Sequence, residues 1–175
     1  MRGCCGLSEH PKMETGSPTY RKLTNSGDNR EAALQLATQA RRSLAMFSRD
    51  LDPLIYDTRE FVAAAQQLAL RSSYARIRIV VIDPTPAIKN GHRLIELSRR
   101  LSSYMEIRRP SEDHARLAEA YLISDDTGML YRPLAVRYEG FADTHDPFEA
   151  RNRLRQFDEI WESAEPEPEF RRLGL

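Results

Sequence analysis

The apolar positions along this chain change period several times, and each change marks an element. From Asp28 or Asn29, either of which can cap a helix, Ala33, Leu36, Ala37 and Ala40 recur three and four residues apart and predict a first helix. Arg41 and Arg42 near its end suit the helix dipole. Residues 43–48 are a short apolar run, the pattern of a buried strand, and the loop 49–53 follows. Thr58 opens a second helix to about Ser72, with Phe61, Ala64, Ala65 and Leu68 on one stripe. Residues 76–82 begin alternating and end continuously apolar, which predicts a central strand buried on both faces. Pro84 and Pro86 sit at a helix entrance, where proline is tolerated. The third helix carries Ile88, Leu94, Ile95, Leu97 and Leu101, and residues 104–108 read as the next strand.

Helices between successive strands imply parallel pairing. The pattern then changes. Residues 120–124 and 129–132 flank Asp125-Asp126-Thr127-Gly128, a hairpin signal. Residues 136–141 add one short extended piece, and a final helix spans about 147–163, with Leu154, Phe157 and Trp161 on one face and Ile160 beside them. The expectation is one α/β domain over residues 28–164, a mixed sheet with a parallel βαβ core, an antiparallel hairpin and flanking helices. A disordered tail is expected over 1–27 and a polar tail over 165–175. Met13 lies within the first tail, so either Met1 or Met13 is a candidate start.

Charge and composition narrow the classes. In 175 residues, 26 Lys+Arg balance 26 Asp+Glu, so no global field draws the chain onto nucleic acid or an acidic membrane. The Arg-Arg pairs at 41–42, 99–100, 108–109 and 171–172 lack interleaved aromatics and read as solvated helix faces and ends rather than a nucleic-acid surface. No apolar run approaches the roughly 20 residues of a membrane span. The only cysteines, Cys4 and Cys5, are adjacent and give no disulfide framework, which fits a reducing cytoplasmic setting. His10, His92, His114 and His145 are scattered without metal-ligand spacing; Asp50, Asp52 and Asp83 could suggest a magnesium site, but aspartates favour strand-to-helix turns for capping alone, and no metal or cofactor is assigned.

The order of elements, with the hairpin running into the Phe157-Asp158-Glu159-Ile160-Trp161-Glu162 helix, resembles one half of the phospholipase-D-like fold over residues roughly 28–164. The ending from Phe157 to Leu173 is similar to a family of uncharacterised bacterial domains with this fold, some fused behind an acetyltransferase domain. The resemblance implies a half fold that pairs with a copy of itself, and an acetyltransferase-related partner. It also implies that catalysis would need the motif H-x-K-x(4)-D, in which histidine attacks phosphorus or acts as acid, lysine binds phosphate and aspartate orients histidine. That motif belongs on the strand entering the hairpin. With Asp125 as its aspartate, the other positions hold Ala118 and Ala120; with Asp126, Glu119 and Tyr121. Starting from His114, Arg116 and Tyr121 replace lysine and aspartate. No register restores it, so no catalytic residue is assigned.

The remaining candidate chemistry is positional. Ligands of open α/β sheets favour the carboxyl ends of parallel strands. Three loops should meet there, offering Arg49, Asp50 and Asp52; Asp83 with Lys89, His92 and Arg93; and Arg108 with Arg109. Asp50, Asp52, Asp83, His92, Arg93 and Arg108 form the candidate ligand-binding set. With three negative charges against two positive they favour a closed, salt-bridged group over a free phosphate site. The expected function is a non-catalytic binding or regulatory module. The alternatives are a divergent phosphate-ester hydrolase working through that cluster and a structural docking domain for a protein partner.

Overall fold

A computed structural model describes residues 19–171, and side chains through Phe170. Cys4, Cys5, His10 and Met13 lie outside the described residues. The chain runs β1 (Tyr20–Leu23), α1 (Ser26–Gln39), β2 (Ser43–Ser48), α2 (Pro53–Tyr56), α3 (Arg59–Arg71), β3 (Arg76–Val81), α4 (Thr85–Asn90), α5 (Arg93–Arg100), β4 (Met105–Arg109), β5 (Ala120–Ser124), β6 (Gly128–Arg132), β7 (Gly140–Asp143), α6 (Pro147–Ser163), β8 (Glu165–Pro166) and α7 (Pro168–Arg171).

These strands form one sheet in the order β1-β7-β6-β5-β2-β3-β4-β8. β2–β3 and β3–β4 are parallel, and every other pair is antiparallel. The parallel core and the hairpin extension are as the periodicity predicts. β3 lies between β2 and β4, as a central strand should. Strand alternation divides the core in two. Leu44, Met46, Ile77, Ile79 and Val81 face α1, α3 and α5. Ala45, Phe47, Val80, Tyr121 and Ile123 face α6, which supplies Phe157, Ile160 and Trp161. Phe47 stacks on Tyr121, and Phe157 on Trp161.

Several boundaries differ from the sequence expectation. Residues 20–23 are not tail: β1 pairs antiparallel with β7 and buries Leu23. α1 is capped by Asn25, whose side chain accepts the amide of Asp28, while the Asp28 carboxylate accepts the amide and hydroxyl of Thr24. This reciprocal arrangement satisfies donors at the helix start. Asn29 is therefore inside the helix, buried, donating to the carbonyls of Asn25 and Tyr138. The third predicted helix is two helices. Gly91 adopts φ +70° at the end of α4, a conformation glycine takes without a Cβ penalty, and His92 starts α5. The expected extended piece over 136–141 forms later, as β7. Residues 165–170 are not a free tail either: β8 pairs with the end of β4, and Phe170 is buried beside α5.

Candidate functional site

β2, β3 and β4 run parallel and finish at the same end of the sheet, and most of the candidate side chains there are held by partners close by in the chain. At the end of β2 the chain turns sharply at Leu51, whose φ is +56° and whose side chain is fully buried. Ser48 Oγ accepts the Leu51 amide at 3.0 Å and secures the turn. Asp50 pairs with Arg49 at 2.7 Å. Asp52 caps α2 by accepting the Leu54 amide at 3.0 Å. Asp83, at the end of β3, accepts the Thr85 amide at 3.0 Å. The hydroxyl and amide of Thr85, with the charges of Arg109 and Arg49, hold its carboxyl below the usual range. Arg49 is the centre of this group: its bond to Asp50 first, then the charges of Asp50, Asp52 and Asp83, raise its pKa further.

His92 lies beneath this group and is only 3% exposed. Its Nδ1 accepts the Leu94 amide at 3.2 Å, capping α5, and its Nε2 lies 3.0 Å from the Leu51 carbonyl. An amide must donate and a carbonyl must accept, so the ring is the Nε2–H tautomer with both nitrogens engaged. Burial lowers its pKa, overriding the opposing charge of Asp57. Arg93 is one step removed, held by the Asp57 carboxylate at 3.3 Å and the Asp57 carbonyl at 2.9 Å. The cavity bordered by Asp50, Pro53, Asp57, Pro86 and His92 is about 40 Å³. Small-molecule pockets are roughly 300–1,000 Å³.

Arg108 is not brought into this group. It lies on the α6 side of β4, bonded to Glu106 at 2.9 Å and to the Trp161 carbonyl, with its guanidinium 4.1 Å from the Trp161 ring centre. Its neighbour Arg109 is the arginine whose charge reaches Asp83. Strand parity separates the two, because successive side chains leave opposite faces.

A buried arginine beside the cluster escaped the sequence reading. Arg132, at the end of β6, is 1% exposed. Its Nη1 reaches the carbonyls of Ala135 and Arg137 at 3.4 and 3.2 Å, and Asp52 Oδ2 lies 4.0 Å away. Its Nε has no hydrogen-bond partner. Tyr138 lies 5.7 Å from the guanidinium. Burial, opposed by Arg132 and reinforced by Asp52, pushes the Tyr56 phenol up to about 12. Gly140 lets the two backbones approach here: a Cβ there would collide with the Tyr131 carbonyl and crowd the Cα and Cγ of Arg132.

The positions that would carry the phosphodiesterase motif have other work. Asp125 adopts φ +53° and accepts the amides of Arg41, Arg42 and Ser43, fastening the hairpin to the start of β2. Ala120 is paired with Arg132 across the hairpin, and the Ala118 carbonyl accepts the Ala135 amide. Glu119 accepts from Arg153 at 3.0 Å and from the Tyr131 hydroxyl at 2.9 Å. His114 lies among hydroxyls, with Ser111 Oγ 3.1 Å and Ser163 Oγ 3.4 Å from Nδ1. Asp126 pairs with Arg151 at 2.9 Å. Among the described residues, no group of three or more His, Cys, Asp or Glu is placed to hold a metal ion, and no helix is long and apolar enough to cross a membrane.

Solved structures share this architecture. Nuc from Salmonella typhimurium, a phospholipase D family member, aligns with a TM-score of 0.61 at 13% identity, over 86% of this chain and 99% of that one. NucT from Helicobacter pylori gives 0.57 at 12%, over 85% and 99%. TrmBL2, an archaeal chromatin protein described as showing a novel mode of DNA binding, gives 0.63 at 15%, over 90% of this chain. The alignment spans 58% of TrmBL2's length. At these identities the likeness establishes the phospholipase-D-like fold. No curated protein matches the chain in sequence. Residues 25–173 match the family described as Domain of unknown function (DUF7931), and with nearly the whole fold inside that match, the chain belongs to this family.

Proposed function

We propose that this domain is a non-catalytic binding or regulatory module built on a phospholipase-D-like fold. The observation that carries this reading is the commitment of His92. A nucleophile or general base needs a nitrogen free to reach substrate. Both His92 nitrogens are spent on the backbone of Leu51 and Leu94, inside a cavity of about 40 Å³. The other candidate side chains are likewise held by partners within the chain. The missing H-x-K-x(4)-D motif supports the same reading, because a phospholipase-D-type hydrolase cannot form its phosphohistidine without that histidine.

The second part of the proposal is that the module pairs with a copy of itself. Exposed Leu54, Leu134 and Val136 lie on the two segments that meet at Arg132, α2 and the connection from β6 to β7. They give the strand-end face an apolar rim.

Incubation of purified protein with bis(p-nitrophenyl) phosphate tests the first part, and the expected result is no release of nitrophenol above buffer. Turnover that disappears with His92→Ala or His114→Ala would overturn it. Sedimentation tests the second: a dimer weakened by Val136→Asp is expected, and a monomer at all concentrations would rule the pairing out.

A further inference from the structure

Among the described residues, β4 is covered along only part of its outer edge. β8 pairs with Arg108 and Arg109 and goes no further, because Pro168 opens α7 and turns the chain away. On the inner side, the Tyr104 carbonyl accepts the Ile77 amide, so residues 104, 106 and 108 direct their backbone groups at β3. Residues 105 and 107 therefore direct theirs outward. The Met105 amide is used locally, donating to the Leu101 carbonyl. What remains outward, past the two residues β8 covers, is the Met105 carbonyl and the Ile107 amide. An acceptor and a donor at this spacing are what one residue of a parallel strand bridges, as Ile77 does on the inner side.

Among the described residues, the space beside this edge is open on both faces of the sheet. On one face a groove of 470 Å³ is walled by Ser98, Arg99, Ser102 and Phe170. On the other a groove of 440 Å³ is walled by Arg76, Arg78, Tyr104 and Trp161. Both include Met105 and Glu106. Alternate side chains of an added strand would enter one groove and then the other.

The charges around these grooves select the strand. Arg76 is exposed and bonds only the carbonyls of Ser73 and Ala75. Arg99 bonds the carbonyls of Glu169 and Phe170. Among the described residues neither has a carboxylate within salt-bridge distance, whereas Glu106 is already held by Arg108. The chain itself places an acidic strand on this edge: β8 belongs to the run Glu165-Pro166-Glu167, and Glu167 pairs with Arg109 at 3.3 Å.

We propose that the uncovered half of the β4 edge binds an extended acidic peptide segment of a partner protein, added as a strand parallel to β4. This deepens the reading of the domain as a binding module. It can fail alone, because the phosphodiester assay does not involve β4. The test titrates the full chain with a labelled peptide of alternating glutamate and valine, about eight residues long. Anisotropy measures binding, and NMR follows hydrogen exchange of the Ile107 amide. Saturable binding that slows Ile107 exchange is expected, weakened about tenfold by Arg76→Glu. Equal binding of a lysine–valine peptide, indifference to Arg76→Glu, or an unchanged Ile107 amide would each overturn it. So would displacement of the peptide by oligothymidylate, which assigns the grooves to nucleic acid. Self-association of the chain in competition with the peptide would assign the edge to a second copy instead.

Discussion

The imidazole of His92 donates to the carbonyl of Leu51, 41 residues earlier in the chain, across 3.0 Å. This bond ties the turn after β2 to the break between α4 and α5. The left-handed backbone at Leu51 is thus fixed from both sides, by Ser48 on its amide and His92 on its carbonyl.

A pH dependence follows. Burial lowers the His92 pKa below the ordinary value of about 6.5, so the unfolded chain takes up this proton at higher pH than the folded one. Below about 6.5 the unfolded state binds more protons at this site, and stability falls as pH falls toward the lowered folded value. Above that window the contribution is constant. Urea unfolding of wild type and His92→Asn at pH 5.5 and 7.5 measures it. Asparagine can keep an acceptor for the Leu94 amide and does not titrate. The wild type should lose more stability on acidification than the variant; equal losses would assign the effect to other groups.

Asp125 offers a second measurement. Its carboxylate serves three backbone amides at the entrance of β2, and its φ of +53° is one that Asp and Asn tolerate better than alanine. Asp125→Ala should cost about 2–4 kcal/mol, because it removes charge-assisted bonds and imposes backbone strain together. Asp125→Gly relieves the strain alone, so the difference between the two variants in urea unfolding isolates the backbone component. Glycine should be the milder change.

Arg132 and Asp52 should respond asymmetrically. The guanidinium is buried, its Nε lacks a partner, and its carboxylate neighbour is 4.0 Å away, so desolvation is poorly compensated. Arg132→Met keeps the volume and removes the charge, and should change stability by no more than about 1 kcal/mol. Asp52→Asn can retain the cap on α2 but leaves the arginine without its anion, and should cost about 2 kcal/mol or more. Thermal unfolding of the two variants side by side gives the order. A more damaging Arg132→Met would mean that the guanidinium stabilises this region through its carbonyl bonds.

Much of the fold was legible because apolar period is a local signal. Residues 76–82 and the Asp125–Gly128 turn announce themselves without reference to anything distant. β1 did not, because four residues flanked by polar sequence have no period to read, and their partner β7 lies more than a hundred residues on. The break at Gly91 was hidden because Ile88, Leu94 and Leu97 extend an apolar stripe across it. In the candidate site, the sequence grouped Asp50, Asp52, Asp83 and His92 by position alone, each following or trailing a parallel strand. It chose Arg108 where counting alternate residues from Ile107, a core position, would have turned attention to Arg109. Arg132 was invisible for a different reason: an arginine at a strand end is ordinarily solvated. Only the connection folding back over it, whose Ala135 and Arg137 carbonyls take its Nη1, makes it interior.

Trp161 is the only tryptophan in the chain, and the guanidinium groups of Arg78 and Arg108 lie 5.7 and 4.1 Å from its ring centre. The protein thereby carries its single indole at the seam between α6 and the sheet, where excitation at the red edge of absorption selects it over the tyrosines. Two fixed cations bias the energy of its excited state, whose dipole differs from that of the ground state. Its emission colour is a local voltmeter for that seam, reading the seating of one helix without contribution from any other indole.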